Sequence, residues 1–346
     1  MTRSARARLS DGVKRGLYLG GAFAVSRRLR PAATAIVLRY HSVADEADGR
    51  LDYIDPGLAV APDGFDRQMR FLRERYQPVS IDAIADAVAH GRPLPPLAVA
   101  VTFDDGYRDN YAHAFPILKA HGIPAAFYIT AGCVEAREPL WTSRLRYYFM
   151  ATQATHLSLE GTDGAPLTLR TPAERSASFA VTIARIKGAG KVGGQALFPQ
   201  VEAALGVTDI TPLRDSLMTW EQIAEMGRAG MTIGAHTLTH PNLPGLPVPE
   251  AEAEIVGSRT LIQERIQGPV GHFAYPNGRG VSHFNDVVRD LVTKAGFLSA
   301  VTSIDGPVRL GDDVYALQRL GVYRKHGDLF RLAADLERAR LDGRRA

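Results

Sequence analysis

Cysteine is almost absent from this chain of 346 residues, in which Cys133 stands alone. A single cysteine excludes an internal disulfide and any cysteine-rich zinc site, and it is compatible with a reducing compartment; we expect a cytoplasmic protein. Long apolar runs are also missing, since Leu17–Val25 has nine residues and about 20 are needed to cross a bilayer. Arg27, Arg28 and Arg30 follow that run where a signal peptide would carry small residues. We therefore expect neither a membrane span nor a signal peptide here.

Excess charge is limited to one end of the sequence. The net charge is +4, but residues 1–30 hold eight Lys and Arg against one acidic residue, which leaves the remainder slightly acidic. A nucleic-acid-binding domain carries its basic patch on the folded unit, so no nucleic-acid partner is expected. We interpret residues 1–34 as a basic N-terminal arm. Leu9, Val13 and Leu17 follow helical spacing, which fits either peripheral contact of residues 1–30 with the inner membrane surface or packing on the protein's own domain.

Apolar segments alternate with helical patterns through the rest of the chain, which predicts an α/β fold with a parallel sheet covered by helices. About seven strands suit an incomplete barrel as well as an open sheet. The predicted strands are Ala35–Tyr40, Leu97–Phe103, Ala125–Thr130, Met231–Ala235, Val270–Tyr275, Leu298–Val301 and Tyr315–Gly321.

Residues 141–215 interrupt this alternation, and we interpret them as a mainly helical insertion. Its centre, Gly188–Gly194, has the sequence GAGKVGG and is predicted to be a flexible linker. A phosphate-binding loop would need Ser or Thr after its lysine, and here Val192 follows Lys191.

Two adjacent acids stand directly after a strongly apolar predicted strand, in the sequence Thr102-Phe103-Asp104-Asp105-Gly106. The carboxyl ends of parallel barrel strands form active sites, and buried carboxylates are costly unless they are paired or bind a metal. A strand-to-helix turn with an Asp cap would explain the same residues, so the motif alone is weak.

His236 and His240 follow another predicted strand, Met231–Ala235. Four residues of separation on a helical turn would place both imidazoles on one face. With a carboxylate from elsewhere, such a pair makes a three-ligand metal site that keeps a position open for water. Because both clusters lie at strand ends, we predict a site of two His and one Asp.

The third cluster is Phe273-Ala274-Tyr275-Pro276-Asn277-Gly278, again at the end of a strand. The backbone amides that follow Pro276 could face a developing oxyanion, which makes Tyr275 and Asn277 candidate substrate contacts.

TFDDG, HTLTH and FAYPNG in this order resemble the motifs of the polysaccharide deacetylases, the NodB-like carbohydrate esterases of family 4. The resemblance covers roughly Ala35 to Leu336 apart from the 141–215 insertion, and we interpret residues 35–340 as the deacetylase domain. It implies a distorted (β/α)7-type barrel and the metal-dependent removal of N-acetyl groups from a glycan or glycan precursor, with an N-acetylated sugar as substrate.

Carried over onto this sequence, the resemblance makes Asp104 the general base. It makes Asp105, His236 and His240 the ligands of a divalent metal ion, for which Zn²⁺ is expected. An acetamide is unreactive, and such an ion helps both to deprotonate water and to polarise the carbonyl.

Two family features are altered in this sequence. Many members carry an arginine that orients the base where this chain has Ala274, and Arg319 is the candidate substitute. For the general acid, His41 in the sequence LRYHSV resembles the permuted arrangement of the exopolysaccharide-type deacetylases. His326 is the alternative, and we expect it in an exposed loop.

Two other functions stay open from the sequence. Related barrels open cyclic ureides and imides, so a non-sugar amide is a possible substrate class. An inactive carbohydrate-binding relative is the other, although such a protein has no use for a base beside a metal site.

Overall fold

The computed structural model describes residues 3–29, 34–45, 50–158, 166–188, 190–278 and 283–342. Thirteen α-helices occur in these ranges. They are α1 (Arg3–Leu19), α2 (Ala22–Leu29), α3 (Pro62–Arg75), α4 (Ile81–His90), α5 (Phe115–His121), α6 (Ala131–Ala136), α7 (Trp141–Ala151), α8 (Pro172–Gly188), α9 (Gly190–Leu205), α10 (Trp220–Arg228), α11 (Val248–Ile266), α12 (Asp286–Lys294) and α13 (Leu329–Asp342).

The strands of the described ranges form one curled main sheet and two small two-stranded sheets. They are β1 (Thr34–Tyr40), β2 (Ser42–Val43), β3 (Ala59–Val60), β4 (Gln77–Pro78), β5 (Ala98–Phe103), β6 (Ala125–Ile129), β7 (His156–Leu157), β8 (Leu167–Thr168), β9 (Thr232–Ala235), β10 (His272–Ala274), β11 (Ser299–Val301), β12 (Val308–Arg309) and β13 (Leu320–Gly321). The main sheet runs β11-β10-β9-β6-β5-β1-β12, with β13 also on β1 and β4 on β5. All of its strand pairs are parallel except β1 with β12.

The segment from Leu317 to Gly321 joins the two ends of this curled sheet. Leu317 bridges to Val301 of β11, and β13 pairs with β1. The result is a distorted barrel of the kind that the family resemblance implies. Only Leu320–Gly321 of the expected strand Tyr315–Gly321 is regular, because this segment crosses from one sheet end to the other. Arg319 lies in the middle of the crossing.

Side chains of β5 alternate between the two faces of the main sheet, and this determines which of them point into the barrel. Val99, Val101 and Phe103 belong to the apolar cluster that packs against the surrounding helices. Ala98 and Ala100 belong to a smaller cluster on the opposite face, which holds short side chains from neighbouring strands. Successive side chains of a strand point to opposite faces, so small residues leave the room that buried polar groups occupy farther along the same face.

Side-chain capping and a left-handed glycine define the ends of α4. The Ser80 side chain caps α4 by accepting from the amide of Ala83, and Gly91 ends the helix in the left-handed conformation. The helical segment that follows β5 begins with a π-helical turn over Asn110–Ala114, which leads into α5. The carboxylate of Asp109 accepts from Ser42 and from the amide of Val43 and so fixes the segment after β1.

The insertion has an apolar core of its own, formed by α7, α8, α9 and the β7–β8 pair around Phe149, Phe179 and Val201. The expectation of a linker at GAGKVGG is wrong. Gly188 is the last residue of α8 and α9 begins at Gly190, while Ala189 lies outside the described residues. Glycine costs helix stability, but packing of two helices on one core outweighs that preference.

The N-terminal helices α1 and α2 pack on α13. Lys14 and Asp11 of α1 pair with Asp335 and Arg331 of α13, and Tyr18 contacts the main core. The other face of α1 exposes Val13 and Leu17, which lie one turn apart. Among the described residues, no helix has the length and apolar character that a membrane span requires.

Candidate active site

Three predicted metal ligands meet at the carboxyl ends of β5 and β9. Oδ1 of Asp105 lies 3.5 Å from Nε2 of His236 and 3.5 Å from Nε2 of His240. All three side chains are buried, and their donor atoms lie within 4.8 Å of one another. The strands place these residues together because β5 and β9 flank β6 in parallel, so their ends reach the same edge.

The segment that holds the two histidines is a loop, and the expectation of a helical turn is wrong. Thr237 and His240 have φ angles of 67° and 60°, which a helix cannot contain. The carboxylate of Glu254 on α11 accepts from the amides of Leu238 and Thr239 at 2.8 and 2.9 Å. An acid 14 residues after His240 therefore holds the loop in shape, and no local sequence pattern indicated it.

These residues fit a divalent cation. Nδ1 of His236 lies 2.7 Å from the carbonyl oxygen of Ala274, and since a carbonyl only accepts, this nitrogen carries the proton and leaves Nε2 free to bind. Burial lowers the pKa of His240 to about 3, which keeps its ring neutral. Two atoms that each lie about 2.1 Å from one ion at a tetrahedral angle are about 3.4 Å apart, close to the separations here.

Asp104 stands beside this cluster and is bound by a different partner. Nη1 and Nη2 of Arg319 donate to its two carboxylate oxygens at 2.7 Å each. Arg319 also donates from Nε to the carbonyl of Thr302, and its side chain is fully buried. Burial raises the pKa of Asp104, but the charge and hydrogen bonds of Arg319, together with the nearby His236 and His41, outweigh burial and hold the pKa at about 2. The carboxylate is therefore ionised and fixed in orientation.

His41 lines the same cleft as Asp104 and the metal-ligand cluster. Asn110 donates to its backbone carbonyl at 2.8 Å, which anchors the end of β1. Burial lowers the pKa of His41 to about 4, opposed by the charge of Asp105. The structure thus brings the predicted acid and the predicted base into one cleft.

The third motif is divided between core and cleft. The Tyr275 ring is fully buried, its hydroxyl donates to the carbonyl of Tyr315, and its amide donates to Val301. Its expected place as a substrate contact is therefore wrong, because the residue faces the core. Asn277 does line the cleft, where its Oδ1 accepts from Nζ of Lys187 at 2.6 Å.

His326 is also placed differently from the expectation of an exposed loop. It is 1% exposed, accepts at Nδ1 from the amide of Tyr323, and donates from Nε2 to Asp335 at 3.1 Å. Its backbone carbonyl accepts from Gln68. Tertiary packing of α13 and α3 buries it in a structural network, and it does not line the catalytic cleft.

The cleft has a volume of about 670 Å³, and the insertion forms one of its walls. Sequence reasoning missed the wall residues Arg146, Phe179 and Lys187 from the insertion, and Arg39 and Tyr323 opposite. Arg39 donates to the Tyr323 hydroxyl at 2.9 Å. Arg39, two residues before His41, was a weak sequence signal for this contact, while the other wall residues had none.

Known proteins resemble this chain in sequence. A profile of the polysaccharide deacetylase family matches residues 91–300. The poly-β-1,6-N-acetyl-D-glucosamine N-deacetylase of Escherichia coli K12 is 43% identical over 94 residues, 27% of this chain and 13% of that protein. The putative polysaccharide deacetylase YxkH of Bacillus subtilis is 21% identical over 83% of this chain and 70% of its own length.

Solved structures share the fold. The deacetylase PplD of Streptococcus pyogenes, in complex with acetate, superposes with a TM-score of 0.58 at 17% identity, over 89% of this chain and 98% of that one. IcaB of Ammonifex degensii gives 0.55 at 20% identity with the same coverage. The family profile spans more than half of the chain, and its motif residues converge in one cleft. The chain therefore belongs to the polysaccharide deacetylase family, the NodB-like carbohydrate esterases of family 4.

Proposed function

We propose that this protein is a metal-dependent hydrolase that removes N-acetyl groups from a glycan or glycan precursor. The observation that carries the proposal is that two adjacent carboxylates have different partners. Asp105 faces two imidazoles, and Asp104 is held by a buried guanidinium. Asp105 is thus available to bind a metal ion, and Asp104 is available to accept a proton. Metal-assisted amide hydrolysis requires both roles.

Asp105, His236 and His240 would hold the ion, and Zn²⁺ suits a set of two imidazoles and one carboxylate. When bound, the ion supplies Lewis-acid polarisation of the substrate carbonyl and lowers the pKa of water. Asp104 accepts the proton of the attacking water, since its carboxylate is ionised and faces the cleft. Arg319 keeps both oxygens of Asp104 in place and so acts as a positioning residue.

His41 donates a proton to the departing amine. An amide anion is a poor leaving group, so the carbon–nitrogen bond breaks only when the nitrogen is protonated. Histidine is the side chain best suited to donate near neutral pH. Burial favours the neutral ring at rest, so His41 takes up one proton from water before it protonates the amine, and it returns to the neutral ring when the amine leaves. The burial of His326 behind Tyr323 supports His41 for this role.

A substrate screen tests the proposal. Release of acetate from chitooligosaccharides is expected, and hydrolysis of cyclic ureides or imides is not. Hydrolysis of a ureide without acetate release would favour the non-sugar amide hydrolase instead. Sugar binding with neither reaction, in protein loaded with Zn²⁺, would identify an inactive carbohydrate-binding relative.

We also propose peripheral attachment of the N-terminal helices to an anionic membrane surface. Val13, Leu17, Leu19 and Val25 are four of the ten large apolar side chains that are exposed among the described residues. They share residues 1–30 with the excess of seven positive charges, and each basic residue near an anionic surface contributes about 1 kcal/mol. Apolar and basic character therefore coincide on one segment.

Point variants test this attachment better than a deletion, because α1 also packs on α13. Leu19→Asp should weaken cosedimentation with phosphatidylglycerol vesicles at low salt. Val248→Asp, at an exposed site on α11, should leave it unchanged. If wild-type protein does not cosediment with these vesicles, or binds neutral vesicles equally well, the role of α1 is limited to packing on α13.

A further inference from the structure

A separate apolar cavity adjoins the catalytic cleft. It has a volume of about 640 Å³ and lies between the insertion and the loop that carries the metal ligands. Lys187 and Asn277 line both cavities, and their hydrogen bond of 2.6 Å forms the rim between them. A molecule whose acetamide lies in the cleft can therefore extend across this rim.

The walls of this cavity are mainly hydrocarbon. Ile186 and Phe198 come from the insertion, and Leu238 and Leu246 come from the barrel side. Trp141 completes the wall, with its ring 6.3 Å from that of Phe198. Polar and charged side chains also line the cavity, namely Arg144, Lys187, Thr239, Asn242, Glu250, Glu254 and Asn277. A pocket of this size that combines apolar and aromatic walls with polar groups is typical of a small-molecule site.

Three polar groups at the cavity have partners within the protein, while Nε of Arg144 and Oδ1 of Asn242 are buried without a hydrogen-bond partner among the described residues. The indole N–H of Trp141 donates to the carbonyl of His240 at 3.0 Å. Glu254 accepts from Leu238 and Thr239, and the Lys187 ammonium donates to Asn277. Sugar hydroxyls that face the apolar walls would find no partner there, and each buried hydroxyl left without a partner is costly.

We propose that this cavity binds the hydrocarbon portion of an amphiphilic substrate, whose N-acetyl sugar lies in the cleft. The inference rests on the proposed function and deepens it by naming the substrate class: an N-acetylated sugar that carries an aliphatic chain. Burial of one methylene strengthens binding by about fourfold at most. The aliphatic chain of the substrate makes the same contacts in the ground state and in the transition state. Its binding energy therefore lowers KM and leaves kcat unchanged.

Alkyl β-glycosides of N-acetylglucosamine provide the kinetic test. With methyl, butyl and hexyl aglycones, kcat/KM for amine release should rise at least tenfold from methyl to hexyl through a lower KM at constant kcat. Phe198→Asp, which places a charge at the cavity, should remove the chain-length dependence but retain turnover of the methyl glycoside. Val181→Asp is the matched control, since Val181 is an exposed residue on α8 of the same insertion.

Fluorescence gives a second measurement that needs neither metal nor catalysis. Trp141 and Trp220 are the two tryptophans of the chain, so Trp220→Phe leaves only the cavity tryptophan. Hexyl glucoside, below its micelle concentration, should shift the emission of this variant with saturation, and methyl glucoside should not. This measurement stays informative if no N-acetyl sugar is hydrolysed and the proposed function fails.

Two outcomes would overturn the inference. Equal kcat/KM values for methyl and hexyl glycosides, without an emission shift, would show that no chain binds here. A preference for longer chitooligosaccharides that Phe198→Asp abolishes, without any preference for alkyl chains, would assign the cavity to a further sugar residue.

Discussion

Replacing Arg319 by Met should destabilise the protein strongly and chiefly through Asp104. The two residues form two charge-assisted hydrogen bonds of 2.7 Å, and both side chains lie almost entirely out of solvent. Removing one partner of such a pair leaves an uncompensated buried charge, which costs about 3–5 kcal/mol. A domain is stable by about 5–15 kcal/mol in total, so the loss in Arg319→Met is large enough to measure by urea unfolding.

A double-mutant cycle identifies the cause of this loss. If the buried carboxylate is responsible, the double variant Arg319→Met with Asp104→Asn should recover at least about 2 kcal/mol relative to Arg319→Met alone. Arg289→Met is the matched control, because Arg289 pairs with Asp313 at 2.6 Å on the surface and should lose far less. Unfolding is measured on metal-free protein, so that metal binding does not add to stability. A small loss of unfolding free energy in Arg319→Met, or additive losses in the cycle, would show that pairing with Asp104 is not the main contribution of Arg319 to stability.

The remaining predictions concern the site and the α13 network. His236→Ala should bind Zn²⁺ at least tenfold more weakly by calorimetry, because two protein ligands remain; unchanged affinity would contradict the site. Asp104→Asn should keep the metal and lose about 10²–10⁴-fold in kcat, and a near wild-type rate would exclude it as the base. His41→Ala should lose far more turnover on an N-acetyl sugar than on an activated acetate ester, whose leaving group needs no proton; equal losses would contradict its role as the acid. Burial raises the pKa of Asp335, but the hydrogen bond with His326 and the charges of Lys325, Lys14 and Arg338 together outweigh burial and hold the pKa well below its usual range. Asp335→Asn should therefore cost about 1 kcal/mol at pH 7, and this difference should shrink below pH ~4 as the wild-type carboxylate begins to lose its advantage; a difference independent of pH would refute this linkage.

Strand ends were the informative part of the sequence. Asp104 and Asp105 follow β5, and the histidine pair follows β9, so the parallel topology alone predicted that they would meet. Arg319 was proposed from its position near the last strand, and the structure places it on Asp104 because the segment after Leu317 crosses the sheet ends. These residues are specified by topology, which alternating apolar segments reveal.

Tertiary contacts determined what the sequence did not show. The histidine loop depends on Glu254, which approaches from α11. His326 can be buried because Asp335 of α13 accepts a hydrogen bond from its Nε2. Lys187 reaches the cleft from an insertion whose own packing makes helices of a glycine-rich segment. Such contacts join residues far apart in sequence, and no local period encodes them.

Metal titration of the purified protein tests the central claim most directly. Protein stripped with a chelator is reconstituted with increasing Zn²⁺, and acetate release from a chitooligosaccharide is measured at each step for wild type and His240→Ala. We predict that wild-type activity is absent without metal and rises until one equivalent is bound, while the variant stays inactive over the same range. Equal acetate release from stripped and reconstituted wild type, or full activity of the variant at one equivalent, would contradict a deacetylase that works through this cluster.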